Sequence, residues 1–217
     1  MEEELYNLSK LLDNPERPFV SVIGGNKVSS KVGIIRSLIK KSDVVLIGGG
    51  MAYTFIRAQG GQIGQSIYEK EKLGSALNLI EFAKRKETAL ILPDDAVCIK
   101  VINNKTSAEP TDFRISEIPL SYSGCDIGPI SRANFVKIIK EAKSVLWNGP
   151  VGIFEDSRFQ EGSKQIASAL SQMKKAGAFT VVGGGDSVSA IHQFGYLDSD
   201  FSHVSTGGGG KLRILIW

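Results

Sequence analysis

In the stretch VVGGGDSVSA, Asp186 and Ser187 directly follow Gly183, Gly184 and Gly185. A carboxylate beside backbone stripped of side chains can hold Mg2+, which favours one or two carboxylates together with phosphate oxygens. The adjacent hydroxyl could add a bond to phosphate. Asp186 also stands where a helix should begin, so a plain N-cap is the competing reading. Lys27 and Lys31 come just after Gly24-Gly25 at a spacing of four, which predicts two ammonium groups one turn apart on the same face of a starting helix. Cations at that end oppose the helix macrodipole, and a nearby anion explains them better than a solvated face does. Glu155, in GPVGIFE, is either an exposed loop acid or an acceptor of bonds from ribose hydroxyls. His192 and His203 have no partner pattern and read as structural. No Ser-His-Asp or Cys-His arrangement is apparent, and the Asp94-Asp95 pair shows no acceptor role.

The glycines recur. Four runs, IGGNKVSSK, LIGGGMAYTF, VVGGGDSVSA and STGGGGK, each end a short apolar segment. Glycine tolerates positive φ and admits a ligand close to the backbone, and the N–H groups of a following helix's first turn attract an anion. One such run reads most simply as tight packing between strand and helix; four along one edge read as a phosphate or nucleotide site. The dinucleotide fingerprint G-x-G-x-x-G fails, because Tyr53 and Val188 stand where its last glycine should be. That disfavours an NAD-dependent dehydrogenase. The P-loop fails too, since Leu212 follows Lys211.

The elements that must carry these loops are legible from periodicity. Strands are predicted at Phe19–Ile23, Val44–Ile47, Ala89–Leu92, Val97–Ile102, Ser144–Trp147 and Phe179–Val182, with a short one near His203. Most are apolar on both faces, as strands of a helix-covered parallel sheet are. Val28, Val32, Ile35 and Ile39 form one helical stripe, and Phe135, Ile138, Ile139 and Ala142 another. The expected fold is α/β: a doubly wound, mostly parallel sheet with helices on both faces, a Rossmann-like three-layer sandwich. The glycine runs then lie at the carboxyl edge of the sheet, where open α/β folds bind ligands. Asn103–Gly128 reads as a long connection with an edge strand.

The chain has 217 residues, 42% of them hydrophobic, and a formal net charge of +3 from dispersed lysines. Such a chain can build one compact domain, and with no basic arm nucleic acid is not the favoured partner. Two cysteines, Cys98 and Cys125, offer no metal spacing and read as buried thiols in a reducing compartment. No apolar run nears the ~20 residues that span a bilayer, and the start MEEELYNLSK lacks a secretory or transit pattern. The expected location is cytoplasmic.

Six motifs taken in order, GGNKVSSK, IGGGMAYTF, GCDIGP, VLWNGPVGIFE, VVGGGDS and HVSTGGG, resemble the C-terminal, nucleotide-binding domain of the phosphoglycerate kinase family. That family transfers a phosphoryl group between 1,3-bisphosphoglycerate and MgADP, giving 3-phosphoglycerate and ATP. The resemblance implies that Lys27 contacts the transferring phosphoryl and Lys31 the nucleotide phosphates, that Asp186 ligates Mg2+, and that Ser187 bonds a phosphate beside Gly184 and Gly185. It further implies that Gly49, Gly50, Gly124 and Phe55 shape the adenine pocket, that Pro150 and Glu155 hold the ribose, and that Asn148 lies beside the γ-phosphate. Gly207 and Gly208 would offer N–H groups to the phosphoryl in flight. By the same resemblance residues 1–16 correspond to an interdomain helix and lead-in, 17–210 to the nucleotide-binding domain, and GKLRILIW runs into an atypical tail over 211–217. Cys125 stands where the family usually carries Leu. The family's N-terminal substrate domain has no counterpart in the motifs, so the expectation is a domain that binds MgADP or MgATP, with a separate N-terminal half as its partner, and turns over little alone. The alternative is a remnant kept for packing or interaction.

Overall fold

The computed structural model describes residues 14–102, 105–107 and 109–205. Its main sheet has six parallel strands: β1 (Phe19–Ile23), β2 (Val44–Ile47), β4 (Ala89–Ile91), β10 (Ser144–Asn148), β11 (Phe179–Gly183) and β12 (His203–Ser205). They lie in the order β12-β11-β10-β1-β2-β4. Counted along the chain within this sheet, that is the 3-2-1-4-5-6 arrangement, which reverses direction between β1 and β10. The two strands are in register from Phe19 opposite Ser144 to Ile23 opposite Asn148, so their ends open into one crevice.

Alternation along the strands explains why they are apolar throughout. Phe19 and Ile23 of β1 pack on one side with helices α1 (Val32–Lys41), α2 (Gly50–Ala58) and α3 (Leu73–Arg85). Val20 and Val22 pack on the other with α4 (Pro129–Lys140), α5 (Glu161–Lys175) and α6 (Gly185–Gln193). The doubly wound expectation therefore holds, with one core on each face of the sheet.

Three expectations change. β5 (Asp95–Ile102) does not join the main sheet; it pairs antiparallel with β6 (Lys105–Thr106), β7 (Thr111–Arg114) and β9 (Tyr122–Ile127). It reads as a buried parallel strand because Ala96 and Cys98 face one apolar cluster while Val97 and Ile99 close around Phe159. The segment taken as a connection is thus largely sheet, including a two-stranded parallel pair of β3 (Gln62–Ile63) and β8 (Glu117–Ile118). Second, Asp95 does have a role: its buried carboxylate accepts the N–H groups of Ile130 and Ser131 at 3.0 and 2.8 Å, capping α4 from a distant strand.

Third, α1 begins at Val32, not near Lys27. A turn closed by the Lys31 and Val32 N–H groups on the Val28 carbonyl precedes it, because buried Val28 anchors the loop first. Lys27 and Lys31 therefore do not share a helix face. Residues 1–13 and 206–217, with the expected lead-in helix, Gly207, Gly208 and the tail, lie outside the described residues.

Candidate functional site

Loops after β1, β2, β10 and β11 meet at the crevice and wall a cleft of about 600 Å3, within the ~300–1,000 Å3 usual for small-molecule sites. Gly25, Gly49, Gly50, Gly124, Pro150, Glu155 and Asp186 all line it. The walls are fastened mainly through backbone. Gly25 donates to the Pro150 carbonyl at 2.8 Å and Gly49 to that of Val151 at 3.1 Å, while Ile153 donates to that of Cys125 at 2.9 Å. The Gly149 N–H reaches the Ser187 hydroxyl at 2.6 Å.

The glycine runs separate by cause. A Cβ on Gly24 would sit 2.1 Å from the Pro150 oxygen, and one on Gly48 2.5 Å from Val151. Gly49, at φ +67, would meet the Gly25 backbone at 2.7 Å. These positions need glycine for packing and conformation. Gly185 differs, for among the described residues nothing lies within 4 Å of its missing Cβ, and its φ is not positive. Neither packing nor backbone requires glycine there; what its absent side chain preserves is open space at the start of α6. That helix has Gly184 at its N-cap, with φ +90 and no side-chain cap, so the first-turn N–H groups keep their capacity for an outside acceptor.

Asp186 stands in this first turn, exposed. The N-cap position belongs to Gly184, which removes the plain-cap reading of Asp186. Ser187 is fully buried, and its oxygen is committed to the Gly149 N–H; it ties the β10 loop to α6. Lys31 turns inward, its ammonium 2.8 Å from the Gly24 carbonyl and 3.0 and 2.8 Å from the backbone and side-chain oxygens of Asn148. Burial lowers its pKa to about 8, with the Asp186 carboxylate pulling the other way. Lys27 is exposed on the loop above.

Phe55 is not on the cleft wall. It is fully buried in the core, and Tyr53 lines the cleft instead. From Gly50, three residues along a helix return to within roughly 60° of the same side, whereas five point roughly 140° away. The missing side chain of Gly124 makes room for Tyr53, whose hydroxyl would lie 1.9 Å from a Cβ there. Cys125, singled out in the GCDIGP motif, lines the cleft as well, as do Asn26, Gln65 and Ile67, which escaped the sequence reading; in sequence these three carry no pattern beyond nearness to glycine-rich turns. Cys125 is half-buried, not sealed in the core as expected, although burial pushes its thiol up to about 11 and that of Cys98 to about 12. His192, at the surface, pairs with Asp198 at 2.7 Å.

A doubly wound sheet with glycine-rich loops around a crevice at its switch point defines an α/β domain of the nucleotide-handling type. The chain belongs to the phosphoglycerate kinase family: the family model "Phosphoglycerate kinase" matches residues 1–216. Over 216 residues it is 45% identical to the phosphoglycerate kinase of Fervidobacterium nodosum, covering 99% of this chain and 53% of that protein. It is 44% identical to the "Phosphoglycerate kinase, cytosolic" of Nicotiana tabacum over 217 residues, with 99% and 53% covered. The solved structure of phosphoglycerate kinase from Coxiella burnetii superposes with a TM-score of 0.91 at 37% identity, covering 99% of this chain and 54% of that one. The chain thus spans about half the length of the relatives it matches. No helix among the described residues is long and apolar enough to cross a membrane.

Proposed function

We infer that this chain binds MgADP and MgATP in the cleft, as the nucleotide-binding half of a phosphoglycerate kinase acting between 1,3-bisphosphoglycerate and ADP. The observation that carries the reading is the first turn of α6, where Gly185 leaves space that nothing among the described residues fills and Asp186 stands exposed beside it. Phosphate oxygens take the free N–H groups of that turn. Asp186 is suited to Mg2+ because its carboxylate has no hydrogen-bond partner among the described residues; Mg2+ would neutralise charge on the phosphates. Among the described residues no group of three or more His, Cys, Asp or Glu converges, which fits a cation whose shell is completed largely by nucleotide oxygens and water.

Tyr53, Gly49, Gly50 and Gly124 give the base a flat slot, and Glu155 at the rim accepts from ribose hydroxyls. Lys31 supplies a positive charge at the floor, while exposed Lys27 meets the phosphoryl group being transferred. Phosphoryl transfer depends mainly on positioning and charge neutralisation, so no nucleophilic side chain is required. The acyl phosphate would be presented by a substrate-binding half corresponding to the rest of the relatives' length, and the proposed location is the cytoplasm, in line with the word cytosolic in the tobacco relative's name.

Titration calorimetry with MgADP tests the assignment. Binding is expected in the micromolar to millimolar range, and Asp186→Ala should remove its Mg2+-dependent part while leaving the fold intact. Absence of heat at several millimolar MgADP, or equal affinity of wild type and variant with and without Mg2+, would overturn it.

A further inference from the structure

The loop that bears Lys27 is tied down by a residue forty positions away. Glu69 accepts the Ser29 N–H at 2.9 Å through Oε2 and the Ser29 hydroxyl at 2.5 Å through Oε1. Its own N–H donates to Thr54 Oγ1 at 3.1 Å, and Thr54 is fully buried in α2. The segment before it is fixed as well: Ser66 Oγ accepts the Gly124 N–H at 2.9 Å, and Ile67 lines the cleft. One short stretch, residues 66–69, thereby joins the Gly124 wall, helix α2 and the Lys27 loop.

This is more than loop trim. Ser29 lies on the exposed turn between Lys27 and Lys31, and that turn has no acidic group of its own to hold it. Weak burial would raise the Glu69 pKa, but the Ser29 hydroxyl and N–H, the Val28 N–H and the Lys27 charge outweigh it and hold the carboxyl below its usual range. The carboxylate therefore stays ionised at neutral pH and grips the turn with both oxygens, within electrostatic reach of Lys27.

We propose that Glu69 is a positioning residue for the phosphoryl-facing lysine: its two-point grip on Ser29, together with its charge beside Lys27, fixes the height and direction from which Lys27 enters the cleft. The proposal rests on the reading of the cleft as the MgADP site. It makes Glu69 a residue that touches no ligand yet governs how one of the two lysines of the segment after β1 is used. Charge-assisted bonds of this kind are the stronger hydrogen bonds of a surface loop.

The experiment uses the full 217-residue chain and two readouts. Hydrogen exchange follows the amides of residues 26–31 without ligand, and calorimetry measures affinity for MgATP, which carries the phosphoryl group that Lys27 meets, for wild type, Glu69→Ala, Glu69→Asp, Ser29→Ala and Lys27→Ala. Glu69→Ala should speed exchange at Ser29 and weaken MgATP about tenfold, Ser29→Ala about threefold, in keeping with loss of two bonds or one. Glu69→Asp should recover part of the affinity. The distinguishing arm is the double variant Lys27→Ala/Glu69→Ala, which should bind no worse than Lys27→Ala alone, since a merely structural carboxylate would add its own loss. Additive losses, or wild-type affinity in Glu69→Ala, would overturn the proposal. Should Glu69→Ala lower thermal stability markedly, Ser29→Ala, at an exposed position, carries the same comparison. If wild type itself binds no MgATP, the nucleotide reading fails, and unchanged exchange at residues 26–31 in Glu69→Ala would separately refute the grip.

Discussion

Lys31 carries a charge that its surroundings disfavour. Its ammonium rests against three oxygens, none of them ionised, and burial brings its pKa down to about 8. Because the folded value lies below the usual 10.5, the unliganded fold gains stability from this group as pH rises from about 8 towards 10.5, and that gain is absent below pH 8. A phosphate set against Lys31 reverses the preference and favours the charged form. Nucleotide binding above pH 8 should therefore take up a proton, and MgADP affinity should fall by up to about tenfold per pH unit once Lys31 is neutral in the free protein. Calorimetry in two buffers of different ionisation enthalpy would register the uptake, and Lys31→Met should bind more weakly with a flat profile. An affinity independent of pH from 7 to 9.5 in wild type would place Lys31 outside the ligand's reach. Asn148, which supplies two of the three oxygens, would then act on the lysine alone.

The strand-to-helix turns place these residues, and their glycines differ in what they do. In α6, Gly185 occupies a helical position with no neighbour near its missing Cβ among the described residues. Ala there should leave stability unchanged or raise it by up to about 1 kcal/mol, as Ala does over Gly in helices, while its methyl group enters the space where phosphate would sit. Gly49→Ala should do the opposite to the fold: with φ +67 and backbone atoms 2.7 Å from the new Cβ, a loss on the order of 2–3 kcal/mol is expected from strain and clash together. Denaturant unfolding and MgADP titration of the two variants, side by side, separate a ligand glycine from a packing glycine. A destabilised Gly185→Ala with normal binding would remove the functional reading of that position. No reading of the sequence alone could make this distinction, because GGG after a strand looks the same whether the space beside it is full or empty. Strand positions were legible because burial on both faces writes continuous apolar runs. Yet the same signal misassigned β5, whose two faces are buried by Tyr53-side packing and Phe159 in a different sheet. The Ser29–Glu69 grip was illegible for a simpler reason: it joins residues 40 apart that have no periodic relation.

At the scale of the whole molecule, the two sheets must be held in one arrangement for the cleft between them to keep its shape, and buried Asp126 sits at that junction. It belongs to β9 of the small sheet, accepts the Gly162 N–H at the start of α5 at 2.7 Å and the Ile127 N–H at 2.9 Å, and lies so close under the cleft loop that a Cβ on Gly152 would approach it to 2.1 Å. Arg132 of α4 and Glu161 of α5 face it with opposite effects, and Tyr53 and Cys125 are within electrostatic reach. Burial dominates and pushes the carboxyl up to about 7, although the two N–H donors and Arg132 pull it down. For a carboxyl raised above its usual 3.8, the stability contributed is complete below that value and is lost as pH climbs through about 7. Asp126→Asn keeps the volume but can accept only one of the two N–H bonds, so wild type should be the more stable at pH 5, with an advantage that shrinks towards pH 8 by no more than about 1.4 kcal/mol per pH unit. Urea unfolding of both proteins from pH 5 to 8 measures that difference directly. An advantage that grows with pH would mean that the ionised carboxylate, bound by its two N–H groups, is the form that locks the small sheet to α5, and the junction would then tighten where this account has it loosen.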